Sequence, residues 1–358
     1  MQSRSVATAQ IITGIAAAIA LLYYLRNIMI PLVVAFVLAV LVNALVRFIH
    51  RLSPRPPSWA VSAIAGIIVI SIASGGIFAI AQGMAQMVAQ GPAVLARLDA
   101  LAMSAGQAFH LERPLHLTAV IGEISIPRLA GAILSELQGF GSGLLLVIVY
   151  FGFILAGRKR LGDKVHKAAG SSERARMVEN TIEKIVADIE TYVWVQTITG
   201  AILTAAAVIV MAAVGLHNVL FWGVVFFLLT FIPNIGVTVG SVFPSLFALV
   251  QFPTIWQSVV IFAVIQVVAT IVGNLIYPRM QAETQNIDPV ATLLSLSFWS
   301  VLWGLPGAFL AVPMTLMLMM VFGQFEATTW VSALLSNDGE PNIRKNPGER
   351  PKAIRAPD

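Results

Sequence analysis

Apolar residues in this chain are grouped into long runs separated by short polar or basic intervals. An α-helix needs about 20 such residues to cross the ~30 Å hydrocarbon layer of a bilayer. The runs predict spanning helices over about residues 9–25, 28–46, 59–81, 140–156, 191–214 and 255–277. Two further apolar stretches lie between His217 and Phe322, and each is interrupted near its middle. The first break is FIPNIG, Phe231 to Gly236; the second is LWGLPG, Leu302 to Gly307. Proline and glycine free backbone groups that hydrocarbon cannot satisfy, at a cost of several kcal/mol for each group. A break at that depth is therefore buried in protein or lines a wet cavity. Two breaks in one chain point to a translocation site between discontinuous helices.

The intervals give the organisation. Residues 1–81 predict a three-span region, whose first run is read as an uncleaved span because no polar mature domain follows it. Arg26 and Asn27 mark a tight hairpin at an interface, since a mid-bilayer arginine costs about 3 kcal/mol. Arg47, His50, Arg51 and Arg55, with Pro54, Pro56 and Pro57, form a basic loop. Residues 82–139 mix Arg97, Arg113 and Arg128 with Asp99, Glu112, Glu123 and Glu136, and their apolar positions recur at helical spacing. They predict an external amphipathic segment, on the membrane face or beside the bundle. Residues 140–190 hold the fourth span, a dense basic cluster from Arg158 to Arg176 and a charge-laced helix. Residues 191–322 form the transport core, and 323–358 a disordered basic tail. The positive-inside rule places the basic segments and both termini in the cytoplasm. The fold class is thus an all-α polytopic membrane protein, with six full spans plus two re-entrant hairpins, or eight spans.

Composition sharpens this picture. Apolar residues make up 58% of the chain and charged ones 11%, far from soluble values. The net charge of +5 gathers in loops, where it reports orientation and not nucleic-acid binding. There is no cysteine, so disulfides, thiolate metal sites and cysteine nucleophiles are excluded. The five histidines lack metal-ligand spacing. Neither a phosphate-binding loop nor a nucleophile–base pair occurs; no cofactor is expected, and the chain reads as a non-enzyme.

Within 191–322 each half has a long span, a link, and two short apolar helices around a break, a pattern that suggests an inverted repeat. No Asp, Glu, Lys or Arg falls inside the spans of this region. The carboxylate relays of proton pumps are absent, which suits a neutral polar solute, or an ion coordinated by backbone carbonyls and amides at the breaks. Most of the hydroxyls are expected to bond a preceding carbonyl of their own helix. Asn234, Gln266 and Asn274 are harder to dismiss, because a buried amide without partners is costly. With Pro233, Gly236, Gly304, Pro306 and Gly307 they form the candidate substrate pathway. Arg279, Glu283 and Asp288, in the connector before the second broken segment, are candidates for coupling or gating. Trp256, Trp299, Trp303 and Trp330 are candidate interfacial anchors.

The segment GNLIYPRM, then IDPVATLLSLSFWSVLWGLPGAFLAVP (Ile287 to Pro313), resembles the signature of the autoinducer-2 exporter-like transporter family. So does FIPNIG with the following VGSVFP. Gly304, Pro306, Gly307 and Leu310 to Pro313 carry the most specific match. The resemblance covers most of the chain and implies a bacterial inner-membrane secondary transporter exporting the quorum-sensing furanone or a related small solute. It also implies Na+(Li+)/H+ antiport as an alternative, with H+ or Na+ as coupling ion, and a homo-oligomer whose suggested form is a pentamer. A channel built from half-helices is the reading from another class. The chain departs from the family at Gln281-Ala282-Glu283, at Asp288 and at Val237, all close to the supposed site.

Overall fold

The computed structural model describes residues 2–52, 58–108, 126–157, 161–233, 235–281, 287–325 and 327–339. Asn234, Glu283, the proline-rich end of the first basic loop, residues 109–125 and the tail from 340 lie outside them. All regular structure among the described residues is helical: α1 Gln2–Tyr24, α2 Arg26–Leu52, α3 Ser58–Ala108, α4 Ile126–Gly157, α5 Leu161–Ala169, α6 Ser172–Val214 and α7 Val219–Thr230. There follow α8 Gly236–Gln251, α9 Trp256–Ile271, a π-turn Val272–Ile276, α10 Tyr277–Gln281, α11 Pro289–Trp303, α12 Leu305–Phe322 and α13 Thr329–Leu335. Five helical stretches among them are long and apolar enough to cross a membrane: Arg26–Arg47, Ile64–Met87, Ser172–Val214, Trp256–Met280 and Leu305–Phe322. The chain is an all-α polytopic membrane protein.

Four boundaries differ from the expected ones. Residues 82–108 are not separate amphipathic helices; they continue α3, which is 51 residues long. At 1.5 Å per residue that helix is about 75 Å long, far more than a bilayer needs. Extending a helix is cheaper than nucleating a new one, and the apolar spacing of Met84 and Met87 continues the span's own helix. Likewise 126–139 run unbroken into α4. Nor is there a loop between α1 and α2, which meet at Leu25 alone; Arg26 opens α2 with its guanidinium 4.9 Å from the Tyr23 ring. Finally, the tail is folded as far as residue 339, and α13 lies in it.

The chain divides into two compact units, residues 1–159 with 190–282, and 160–189 with 283–358. In the first, α2 packs on α3 and α4, with Ala35 and Ala39 buried at the contact. The core of this unit sits where α6, α7, α8 and α9 meet, around Met211, Trp222, Phe226, Phe247, Ile261 and Ile265. Helix α3 packs on α7 through Gly83, where any Cβ would overlap the ring of Phe221. Arg97, further along α3, donates to the carbonyls of Phe252 and Pro253 at 3.4 and 3.1 Å, closing the exposed end of α8. Arg47 of α2 pairs with Glu190 of α6, whose side chain is only 15% exposed. A charge so shielded needs its partner.

In the second unit Ser171 caps the first turn of α6 by accepting the Arg174 N–H at 3.3 Å. His166 of α5 lies 3.5 Å from Glu179. The tightest packing in this unit is between α11 and α12.

Candidate functional site

Each break is the tip of a helical hairpin, and each hairpin is closed at its base. In the first unit, α6 ends in a Schellman turn: Leu216 N–H bonds Met211 O at 2.9 Å and Gly215 N–H bonds Ala212 O at 3.0 Å. Gly215 has the positive φ of 80° that this turn requires. Gln251, the last residue of α8, returns to that turn. Its amide donates to Gly215 O at 2.8 Å and accepts from His217 N–H at 2.7 Å. Helices α7 and α8 therefore start and finish at one place.

At the tip Pro233 cannot donate, and Leu229 O takes the Ile232 N–H at 2.9 Å instead. Ile235 N–H turns to Pro233 O at 2.7 Å, so Phe231 O loses its helical donor. Two donors come from α6. Tyr192 Oη donates to Phe231 O at 3.3 Å, and Gln196 Nε2 donates to Thr230 O. One turn further along α6, Gly200 admits Thr230; a Cβ there would stand 2.5 Å from its Oγ1. Gly236 opens α8 against the end of α7 so closely that a Cβ would overlap the carbonyl oxygen of Leu229.

The second tip is tighter. Gly304 alone joins α11 to α12, with φ 68° and ψ −143°, a region that side-chain-bearing residues avoid. Gly304 N–H bonds Ser300 O at 2.8 Å, and Ala308 N–H returns to Gly304 O at 3.2 Å. Pro306 stands in the first turn of α12, where its missing N–H and fixed φ cost nothing. Gly307 repeats the device of Gly236: a Cβ there would overlap Trp299 O. Between the two helices Ser295 bonds Thr315 and donates to Ala311 O at 3.1 Å, while the Trp299 indole reaches Thr315 Oγ1 at 3.4 Å. At the base, Asp288 N–H bonds Leu335 O at 3.0 Å and Ser332 Oγ donates to Met319 O at 2.9 Å, so α13 closes this hairpin.

The candidate residues thus fall into separate groups. Pro233 and Gly236 share the first tip; Gly304, Pro306 and Gly307 share the second. Gln266 and Asn274 lie on α9 and its π-turn, on one line with Thr270. Thr270 Oγ1 donates to Gln266 O at 2.8 Å, and Asn274 Nδ2 donates to Thr270 O at 2.9 Å. Asn274 is exposed and its amide is bound to its own helix; Gln266 is half-buried. A π-turn at Val272–Ile276 widens the helix beside it, a feature frequent at functional sites. Arg279 is exposed on α10. Asp288 caps α11, its Oδ1 accepting from Val290 N–H at 2.7 Å and Ala291 N–H at 3.2 Å. Asn234 and Glu283 fall outside the described residues. No group of three His, Asp or Glu gathers among the described residues.

Two of the tryptophans are not interfacial anchors. Trp299 and Trp303 are 1% and 3% exposed, because they fill the inside of the α11–α12 hairpin with ring centroids 5.0 Å apart. Trp256 and Trp330 are exposed. The hydroxyls behave as expected: Thr197, Thr199, Ser245, Ser297, Ser300 and Thr315 each bond the carbonyl four residues back. What sequence reasoning missed are Tyr192, Gln196, Gln251 and Arg97. All four donate to carbonyls at breaks or helix ends many residues away. A Gln and a Tyr in an otherwise apolar stretch of α6 were the available signal.

A family model described as AI-2E family transporter matches residues 12–327. Among curated proteins, the chain is 26% identical over 188 residues to a Borreliella burgdorferi protein named for transport, covering 52% of each chain. It is 25% identical over 207 residues to the AI-2 transport protein TqsA of Escherichia coli K12, covering 57% of this chain and 58% of TqsA. With YhhT of the same organism, also named for transport, it shares 24% over 184 residues, 51% of this chain and 52% of YhhT. The matched part spans about half the length of these relatives, between 52% and 58%.

Proposed function

This chain belongs to the AI-2E transporter family, and on that premise we propose that it is a secondary transporter of a small neutral polar solute. The observation that carries the reading is the pair of base-closed hairpins, each with a Pro/Gly tip and no charged side chain along its helices. Helices α7 and α8 have 12 and 16 residues, about 18 and 24 Å, too short to cross ~30 Å of hydrocarbon one at a time. With Gln251 tying the end of α8 to the start of α7, this segment enters and leaves by one face, and its tip carries the pathway. In the first unit the solute meets backbone carbonyls, Pro233, Asn234, Gly236 and the amide of Gln266; in the second, Gly304, Pro306 and Gly307 are the candidate contacts. Autoinducer-2, named for the relative TqsA, is the solute to try first. Na+(Li+)/H+ antiport is less well supported, because the carboxylate of Asp288 is occupied as a helix cap. The protein works in a bacterial inner membrane with both termini in the cytoplasm, as a homo-oligomer.

The test is flux in proteoliposomes. Saturable, ATP-independent movement of autoinducer-2 is expected. Pro233→Ala should cut the rate about tenfold, equivalent to ~1.4 kcal/mol in the barrier, with little loss of folded protein. Pro306→Ala should act in the same direction. Wild-type flux in both variants would remove the tips from the pathway. A second measurement concerns the hairpin alone: single cysteines at His217 and at Pro253 should react with an impermeant thiol reagent from the same side. Reaction from opposite sides would make α7–α8 a full crossing.

A further inference from the structure

We infer that Tyr192 and Gln196 form a latch on the first break, holding its carbonyls in a closed form and yielding them to solute or water when the site opens. This inference rests on the reading of that break as part of the pathway. Tyr192 is 2% exposed and Gln196 half-buried, one helical turn apart on α6. Their donors reach Phe231 O and Thr230 O, successive carbonyls at the end of α7. Phe231 O does not take the helical donor of Ile235, whose N–H is taken by Pro233 O. The contact is close and specific: Gly200 clears the space that Thr230 occupies beside α6.

The rest of the first hairpin is held by other groups. Gln251 ties its base to the preceding loop, while Thr230 and Ser245 bond within their own helices. From outside the hairpin, α6 holds the tip through these two donors, while Arg97 of α3 and Ser258 of α9 donate to Phe252 O, Pro253 O and Ser245 O further along α8 and at its end. Moving the tip away from α6 breaks both bonds together and takes a side-chain donor from two adjacent carbonyls. In an apolar surrounding bare carbonyls are costly, so the tip opens only when another donor arrives. That donor is water entering the cavity or a hydroxyl of the solute. Tyr192 and Gln196 are positioning residues: they make tip movement conditional on occupancy and lie outside the list of groups that bind the solute.

The absence of native cysteine makes a direct test simple. A single cysteine replaces Ile235, which is exposed beside the break, and its reaction with an impermeant maleimide is timed in proteoliposomes. Tyr192→Phe and Gln196→Met remove each donor while keeping ring and chain length. Reactivity is expected to rise about fivefold for either variant and about twenty-fold for both together, the usual net worth of one and two hydrogen bonds. Helix content and elution volume check folding, and Tyr192→Phe reads the latch alone if Gln196→Met fails to fold. Unchanged reactivity in folded variants overturns the latch. Raised reactivity with lowered autoinducer-2 flux supports it. Raised reactivity with wild-type flux keeps the latch and removes the first break from the pathway.

Discussion

Alanine at Gly236 or Gly307 is expected to abolish transport and to destabilise the fold by about 3 kcal/mol each, the upper range for overpacking. At both positions a Cβ meets a backbone carbonyl oxygen, that of Leu229 or of Trp299. A side chain can turn aside, but a carbonyl in the last turn of a helix moves only with its helix. Relief therefore requires α8 to withdraw from α7, or α12 from α11. The first movement pulls on the carbonyls held by Tyr192 and Gln196; the second uncovers Trp299 and Thr315. Gly75 provides the control, since nothing lies within 4 Å of a Cβ built there. Gly75→Ala in the middle of α3 should be neutral or stabilising by roughly 0.5 kcal/mol. Thermal unfolding in detergent, followed by helix content, ranks the three variants. Equal midpoints for Gly307→Ala and Gly75→Ala would show that the hairpin absorbs the methyl group.

The second large effect is expected at Gly304. Its φ of 68° with ψ of −143° is open only to glycine, and forcing another residue there costs about 1–3 kcal/mol. Gly304→Asn should be as damaging as Gly304→Ala, because asparagine tolerates the left-handed helical region and not this one. Gly215 separates the two cases. It ends α6 in a Schellman turn, where asparagine is the usual substitute, so Gly215→Asn should cost only a few tenths of a kcal/mol. Folded yield and autoinducer-2 flux of the three variants test this. A well-folded, active Gly304→Asn protein would mean that a longer linker can replace the single-residue turn.

Much of this architecture was legible in the chain. Apolar runs of membrane-spanning length, nearly free of charge, dictate helices, because hydrocarbon leaves no other way to satisfy a backbone. Proline and glycine at Pro233, Gly236, Gly304, Pro306 and Gly307 marked both tips for the same reason: each residue type limits what the backbone can do locally. Family membership was likewise readable from Gly304 to Pro313. Where local signals were weak, the boundaries moved. The mixed charge after residue 81 suggested a new element, yet α3 runs on to Ala108 through Gly91 and Pro92. Trp299 and Trp303 carried the composition of interfacial anchors and became the filling of a hairpin.

What only the tertiary structure decided is who satisfies the freed backbone. The sequence by itself determined that a carbonyl near Pro233 would need a donor, because proline has no N–H to give. It could not say that the donor is Tyr192, 39 residues earlier, or that Gln251 and Leu335 close the two hairpin bases. Broken helices advertise their own gaps through proline and glycine, which act on adjacent bonds. The groups that fill those gaps are chosen by packing between distant segments, and packing leaves no mark at the position of the break.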